Sequence, residues 1–220
     1  MRHTFTEEEL KRIREAVARA ERQTSGEIVP FVVSQSDRYD ITVWRGASMA
    51  AIVAMGLVGL LHVFYQGWGL AWLYTGQGVA FMALVAGALG ALAGAYVDPL
   101  KRFMAGATLL DRTVHNRAMR AFVEEEVFNT KDRTGILLFI SLLEHRIEVI
   151  GDEGINRKVT VEDWAGVVAE IRKGIIENRF IDGLERAVDM CGSLLDRKGV
   201  LIQPDDTNEL PNDIRFSDEG

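Results

Sequence analysis

Apolar and charged positions are segregated along this chain. From Gly46 to Val97, 52 residues pass without one Asp, Glu, Lys or Arg. A bilayer's hydrocarbon core is roughly 30 Å thick and takes about 20 apolar helical residues to cross. The stretch therefore predicts a two-helix transmembrane hairpin, with crossings at about 46–64 and 78–97. The loop between them carries Tyr65, Trp68, Trp72 and Tyr74, aromatic rings of the kind that gather at a lipid–water interface. No polar face interrupts the stretch, which argues against a buried helix pair in a soluble core.

The flanking segments alternate helical and strand periods. Thr6 to Arg22 reads as a helix with Leu10, Ile13, Val17 and Ala20 on one face, opened by a Thr6–Glu9 capping box and a Phe5–Leu10 staple. Glu27 to Ser34 is a β-branched strand in which Pro30 marks an edge or bulge. Beyond the hairpin, Asp111–Phe128 predicts a second helix, and Ile136–Ile140 a strand buried on both faces. A tight turn at 143–145 leads to the alternating strand Arg146–Ile150. Thr160 caps a third helix, and a fourth runs from about Asp182 to Arg197 with Cys191 on its apolar stripe. The first two strands are joined through a helix and should run parallel; the short turn makes the third antiparallel. The fold class predicted is α/β, a small mixed sheet covered by helices in an α/β/α sandwich and interrupted by the hairpin. The domains are then 1–45 with 98–202, the hairpin 46–97, and an acidic, disordered tail 203–220 with six acids and one arginine.

Charge refines this picture. The chain holds 25 Lys and Arg against 32 Asp and Glu, net −7, which argues against nucleic acid as a partner. Arg38 and Arg45 precede the hairpin, and Lys101, Arg102 and Arg112 follow it, while its loop has no charge. Basic flanks stay in the cytoplasm, so the expected location is the plasma (inner) membrane, multi-pass, with both termini cytoplasmic. The N-terminus is charged and lacks the apolar core of a signal peptide. Gly90 and Gly94 form a small-xxx-small pair. It suits packing on the first crossing, helped by Gly56 and Gly59, or association with another copy or another membrane protein. His62, near the expected outer interface, suits a snorkelling role rather than a proton relay.

Candidate chemistry concentrates at one end of the predicted sheet. There Glu27, Asp132, Asp152 and Glu153 converge, with the amide of Asn156. Crowded carboxylates and an amide oxygen are the ligand types of a hard cation, Mg²⁺ or Ca²⁺; the same residues would otherwise be solvated loop acids. A bound cation would polarise a phosphate and activate water. No phosphate-binding glycine loop or His-Glu-x-x-His motif is present. A single cysteine excludes an internal disulfide.

The segment Glu21-Arg-Gln-Thr24-Ser-Gly-Glu27-Ile-Val resembles the opening motif of TPM-domain proteins. Gly135–Asn156 resembles that family's central hairpin and glycine loop, and Asp182-Gly-Leu with Cys191-Gly-Ser-Leu-Leu195 its last helix. The resemblance covers about 7–34 and 112–200, and the inserted hairpin resembles a bacterial membrane-embedded branch. It implies an α/β/α fold and a divalent-cation site, with Glu21, Thr24, Glu27 and the 151–156 loop as the positions to carry over. Relatives include a thylakoid acid phosphatase, photosystem repair proteins and receptor auxiliaries. The chain departs from soluble members at Asn156 and at Val161-Glu162, where they often carry Glu and Asp. The expectation is a non-enzymatic binding or assembly factor for membrane proteins; the alternative is a divalent-cation-dependent phosphatase acting on cytoplasmic phosphate esters.

Overall fold

The computed structural model describes residues 5–65, 68–202 and 207–217. Its elements are α1 (Glu7–Glu21), β1 (Glu27–Val33), α2 (Asp40–Phe64), α3 (Gly76–Tyr96), α4 (Asp98–Ala105), α5 (Ala107–Glu124), β2 (Gly135–Ser141), β3 (Arg146–Gly151), α6 (Glu153–Asn156), α7 (Ala165–Ile176), α8 (Phe180–Arg197) and β4 (Arg215–Ser217). Short 3₁₀ turns occupy Trp68–Tyr74 and Glu162–Trp164. Two compact units result: residues 1–37 with 111–220, and residues 38–110.

The first unit is built on a four-stranded sheet in the order β3-β2-β1-β4. β1 and β2 pair in parallel from Glu27–Gly135 to Val33–Ser141, and every residue of both strands is buried. β3 runs antiparallel to β2. Side-chain alternation divides the apolar residues between two faces. Val29, Phe31, Leu137 and Phe139 pack with Val114, Ala118, Ala121 and Phe122 of α5. Ile28, Val32, Ile136, Leu138 and Ile140 pack with α1, α7 and α8, where Cys191 is a fully buried core residue. The α/β/α sandwich is as expected, and the Thr6–Glu9 capping box opens α1. Phe5 stacks on Phe216 and leans on Phe180 at 5.2 and 6.0 Å between ring centres.

Three expectations change. Pro30 lies in an interior strand, but β4 pairs only with Phe31–Val33, so β1 is an edge on that side as far as Pro30 and a ladder donor is not needed there. The helix expected from Thr160 opens with the 3₁₀ turn Glu162–Trp164 before α7 begins at Ala165, and Asp163 accepts from the Thr160 N–H at 2.9 Å at its start. The tail 203–220 is not wholly disordered: Leu210 and Ile214 are buried and β4 extends the sheet. Its few apolar side chains, diluted among acids, have a prepared site on the domain. The expectation for 203–206 and 218–220 lies outside the described residues.

The second unit holds two helices long and apolar enough to cross a membrane, α2 and α3. It extends beyond 46–97 at both ends. α2 starts at Asp40, and α4 follows the break at Val97, opening with Asp98-Pro99. Arg45 Nη1 donates to the carbonyls of Met104 and Ala105, which end α4 without helical partners of their own, at 2.5 and 3.2 Å. Gly90 and Gly94 are used within the chain. A Cβ on Gly90 would sit 2.3 Å from Gly46 O, and one on Gly94 2.4 Å from Thr42 O. The Thr42 hydroxyl donates to Gly94 O at 2.9 Å. The facing glycine is Gly46, whereas Gly56 and Gly59 face open space.

Gly90→Leu should therefore force α2 and α3 apart, lowering the stability of the full chain in micelles by about 1–3 kcal/mol. Gly59→Leu should leave its melting temperature unchanged.

Candidate functional site

β-pairing brings the expected acidic segments to one end of the sheet. Glu27 pairs with Gly135, and the Asp152 N–H donates to Gly135 O at 2.9 Å. The side chains then diverge. Glu27, 5 % exposed, accepts from the N–H groups of Glu209 and Leu210 at 3.2 and 3.4 Å. Asp152 caps α6 through the Glu153 N–H at 2.7 Å and takes Arg133 Nη2 on the same oxygen at 2.9 Å. Its other oxygen lies 2.7 Å from Arg133 Nε without hydrogen-bond alignment. Glu153 is an exposed partner of Arg157 at 2.5 Å, and that guanidinium holds its carboxyl below the usual range. Asn156 donates to Gly151 O at 2.5 Å, directing its amide nitrogen into the loop. Asp132 lines a separate cavity of about 390 Å³ with Thr134, Arg157 and Lys158. Among the described residues, no three His, Cys, Asp or Glu side chains are placed to share a metal ion.

A different pocket forms beside Glu27. It has a volume of about 290 Å³ and is lined by Glu21, Thr24 and Glu27 from the first motif and by Asn208 and Asn212 from the tail. Glu21 ends α1; one oxygen accepts from the Ile28 N–H at 3.0 Å, the other from Asn212 Nδ2 at 2.7 Å. Asn212 in turn accepts from Asn208 Nδ2 at 2.6 Å. Thr24 Oγ1 donates to Val200 O at 2.5 Å, tying this turn to the end of α8. Burial pushes the Glu21 carboxyl up to about 8, and the neighbouring Glu27 charge adds to the rise, while the bonds from Ile28 and Asn212 oppose it. Glu21 therefore holds its proton near neutral pH. The tail asparagines were invisible in a segment read as solvated, although the chain's return to the sheet was signalled by Leu210, Ile214 and Phe216.

The opposite end of the sheet carries a second polar cluster that spacing did not reveal. Glu144, in the β2–β3 turn, accepts from the Ser36 N–H at 2.8 Å and from the Ser141 hydroxyl, and Ser36 and Ser141 hydroxyls lie 2.8 Å apart. All three residues are buried. The cluster fixes the exit of β1 against that of β2. His145 beside it takes a left-handed backbone, φ 53°, to close the turn.

The sign of Glu21's effect on stability follows from linkage. Its folded pKa lies above its unfolded value of 4.5, so the folded state binds more protons between the two. Stability should fall as pH rises from 4.5 to about 8. Glu21→Gln should remove about 1–2 kcal/mol of that fall, after allowance for partial exposure. Melting curves of the full chain at pH 5 and 8.5 measure it.

No protein-family model and no curated protein matches the chain. Among solved structures it is similar to the NMR structure of BA42 protein from the psychrophilic bacterium Bizionia argentinensis, at a TM-score of 0.58 and 21 % identity, over 97 % of this chain and 95 % of that one; the likeness is one of fold.

Proposed function

We propose that this chain is an integral membrane protein of the TPM-domain type, and that its α/β unit is a cytoplasmic, non-catalytic binding or assembly module for other membrane proteins. The observation that carries the membrane part is the exposure of α2 and α3. Only 6 % and 11 % of their most apolar stretches are buried, and Val63, Phe64, Leu84 and Leu89 are 63–80 % exposed. In water such a surface is costly; in hydrocarbon it is the surface required. Twenty-five residues of α2 span roughly 37 Å, enough to cross with its ends in the headgroups. Exposed Trp44, Tyr96 and Phe103 at one end and Tyr65 and Trp72 at the other suit two interfacial belts. The side chain of Trp68 lies outside the described residues. The His62 ring lies tilted against Tyr74, 4.6 Å between ring centres, and the Tyr74 hydroxyl donates to Tyr65 O, consistent with an interfacial place. Arg38, Arg45, Lys101 and Arg102 favour the cytoplasmic side for the α4 end.

Support for a non-catalytic role comes from how the acids are used. Glu27 and Asp152 bind main-chain N–H groups, and Asp152 and Glu153 bind arginines. The phosphatase alternative rests on the Glu21–Glu27 pocket. A Mg²⁺ or Ca²⁺ replacing the Glu21 proton there would polarise a phosphate ester.

Membrane vesicles should retain the chain in alkaline carbonate. The buried Cys191 is a silent background for labelling. A membrane-impermeant maleimide should label Gly69→Cys from outside, and Glu8→Cys only after permeabilisation. Carbonate release would overturn the membrane reading, and labelling of Glu8→Cys alone from outside would reverse its orientation. Phosphate ester hydrolysis that requires Mg²⁺ and disappears in Glu27→Gln would favour the alternative.

A further inference from the structure

α4 is an eight-residue helix with two unlike faces. Pro99 and Phe103 lie one turn apart, as do Leu100 and Met104, while Asp98, Lys101 and Arg102 occupy the other side. Phe103 is 74 % exposed, and Pro99 is exposed beside it. An apolar face so open is costly in water.

Contacts with α2 fix where α4 lies. Val97, between α3 and α4, takes an extended backbone and breaks the axis of α3. Gly46 packs on Gly90, six residues and roughly 9 Å before the end of α3. Gly46 also meets α4, because a Cβ there would lie 3.4 Å from Met104 Sδ. A helix continuing along α3 would carry Met104 away from that level. α4 therefore lies back against the hairpin, and Arg45, next to Gly46, holds its last carbonyls. Charge singles out the same end. The unit 38–110 carries Arg38, Arg45, Lys101 and Arg102 against Asp40 and Asp98, net +2 in a chain of net −7. All six flank the charge-free stretch where α2 starts and α3 finishes, as do the exposed rings of Trp44, Tyr96 and Phe103.

We infer that α4 lies along the membrane surface, with its Pro99–Phe103 face in the acyl boundary and Lys101 and Arg102 against the phosphates of anionic phospholipids. Amphipathic helices of this kind sit about 5–10 Å into the boundary between headgroups and acyl chains. Met104 reaches the level of Gly46, where the charge-free stretch begins, so α4 stands at that depth. Basic flanks orient a hairpin whatever their local structure. Here the cations are held on a helix whose opposite face is apolar, which makes a lipid contact of defined depth and sign. Asp98 shares the polar face but is outnumbered by Lys101 and Arg102. The inference rests on the membrane reading above; it adds the class of lipid and the helix that meets it.

The test uses the full chain reconstituted in bilayers of phosphatidylcholine mixed with phosphatidylglycerol. Nitroxides are attached singly at Leu84→Cys, Lys101→Cys and Phe103→Cys, with the buried Cys191 as a silent background. Accessibility to oxygen, which concentrates in hydrocarbon, is compared with accessibility to a water-soluble nickel chelate. The label at 103 should favour oxygen and the label at 101 the chelate. Equal chelate access at 101 and 103 would overturn the surface-lying helix. The label at 84, in the middle of α3, reads the membrane assignment separately: oxygen access there with chelate access at 103 sinks this inference alone. Spin-labelled lipids then read selectivity in the unlabelled chain. Phosphatidylglycerol should be held at the protein boundary about threefold over phosphatidylcholine, falling toward parity in molar salt and in the Lys101→Gln, Arg102→Gln double variant. No preference in the parent chain, or a preference that the double variant keeps in full, would overturn recognition of anionic lipid by α4.

Discussion

The parallel pairing of β1 with β2 is the contact on which the α/β unit depends. It joins Glu27–Val33 to Gly135–Ser141 across about a hundred residues of chain. Both apolar clusters are built on it, one from each face of the two strands. Closing so long a connection costs little more entropy than closing one half its length. The insertion also returns on itself: the Thr42 hydroxyl reaches Gly94 O at 2.9 Å, which brings the first turns of α2 against the last turn of α3. An insert whose two ends meet can interrupt a sheet without separating its strands. Small residues at 46, 90 and 94 make that return close enough for helix backbones to touch.

Acids in this protein fasten main chain. Glu21 takes the Ile28 N–H, Glu27 those of Glu209 and Leu210, Glu144 that of Ser36, and Asp152 that of Glu153. Each bond ties a strand end or turn to a distant or following segment. A charged acceptor makes such bonds stronger than neutral ones. The cost appears at Glu21, where burial beside Glu27 outweighs two favourable hydrogen bonds and keeps the proton on. A sheet end crowded with acids can therefore be an anchorage for chain ends.

The first three strands, their directions and both helix layers were legible in the sequence because each follows from a periodicity. The buried run Ile136–Ile140 and the stripe containing Leu184, Val188, Cys191 and Leu195 are of this kind. Side-chain partners were not legible. Glu27, Asp132, Asp152, Glu153 and Asn156 do lie in segments that meet, but a backbone N–H or an arginine could claim each carboxylate, and spacing carries no information about that competition. The tail failed for another reason: its composition is that of a solvated segment, yet Leu210, Ile214 and Phe216 suffice to dock it on a surface that composition cannot show. α4 was missed because eight residues are too few to stand out beside a 52-residue apolar stretch.

The most direct test is amide hydrogen exchange on the full chain in micelles, read separately for 28–33 and 136–140. Pairing of β1 with β2 as the keystone of the unit predicts that both strands fall in the slowest class and open together. Exchange of 28–33 at the faster rate of loop amides, with 136–140 still protected, would contradict it.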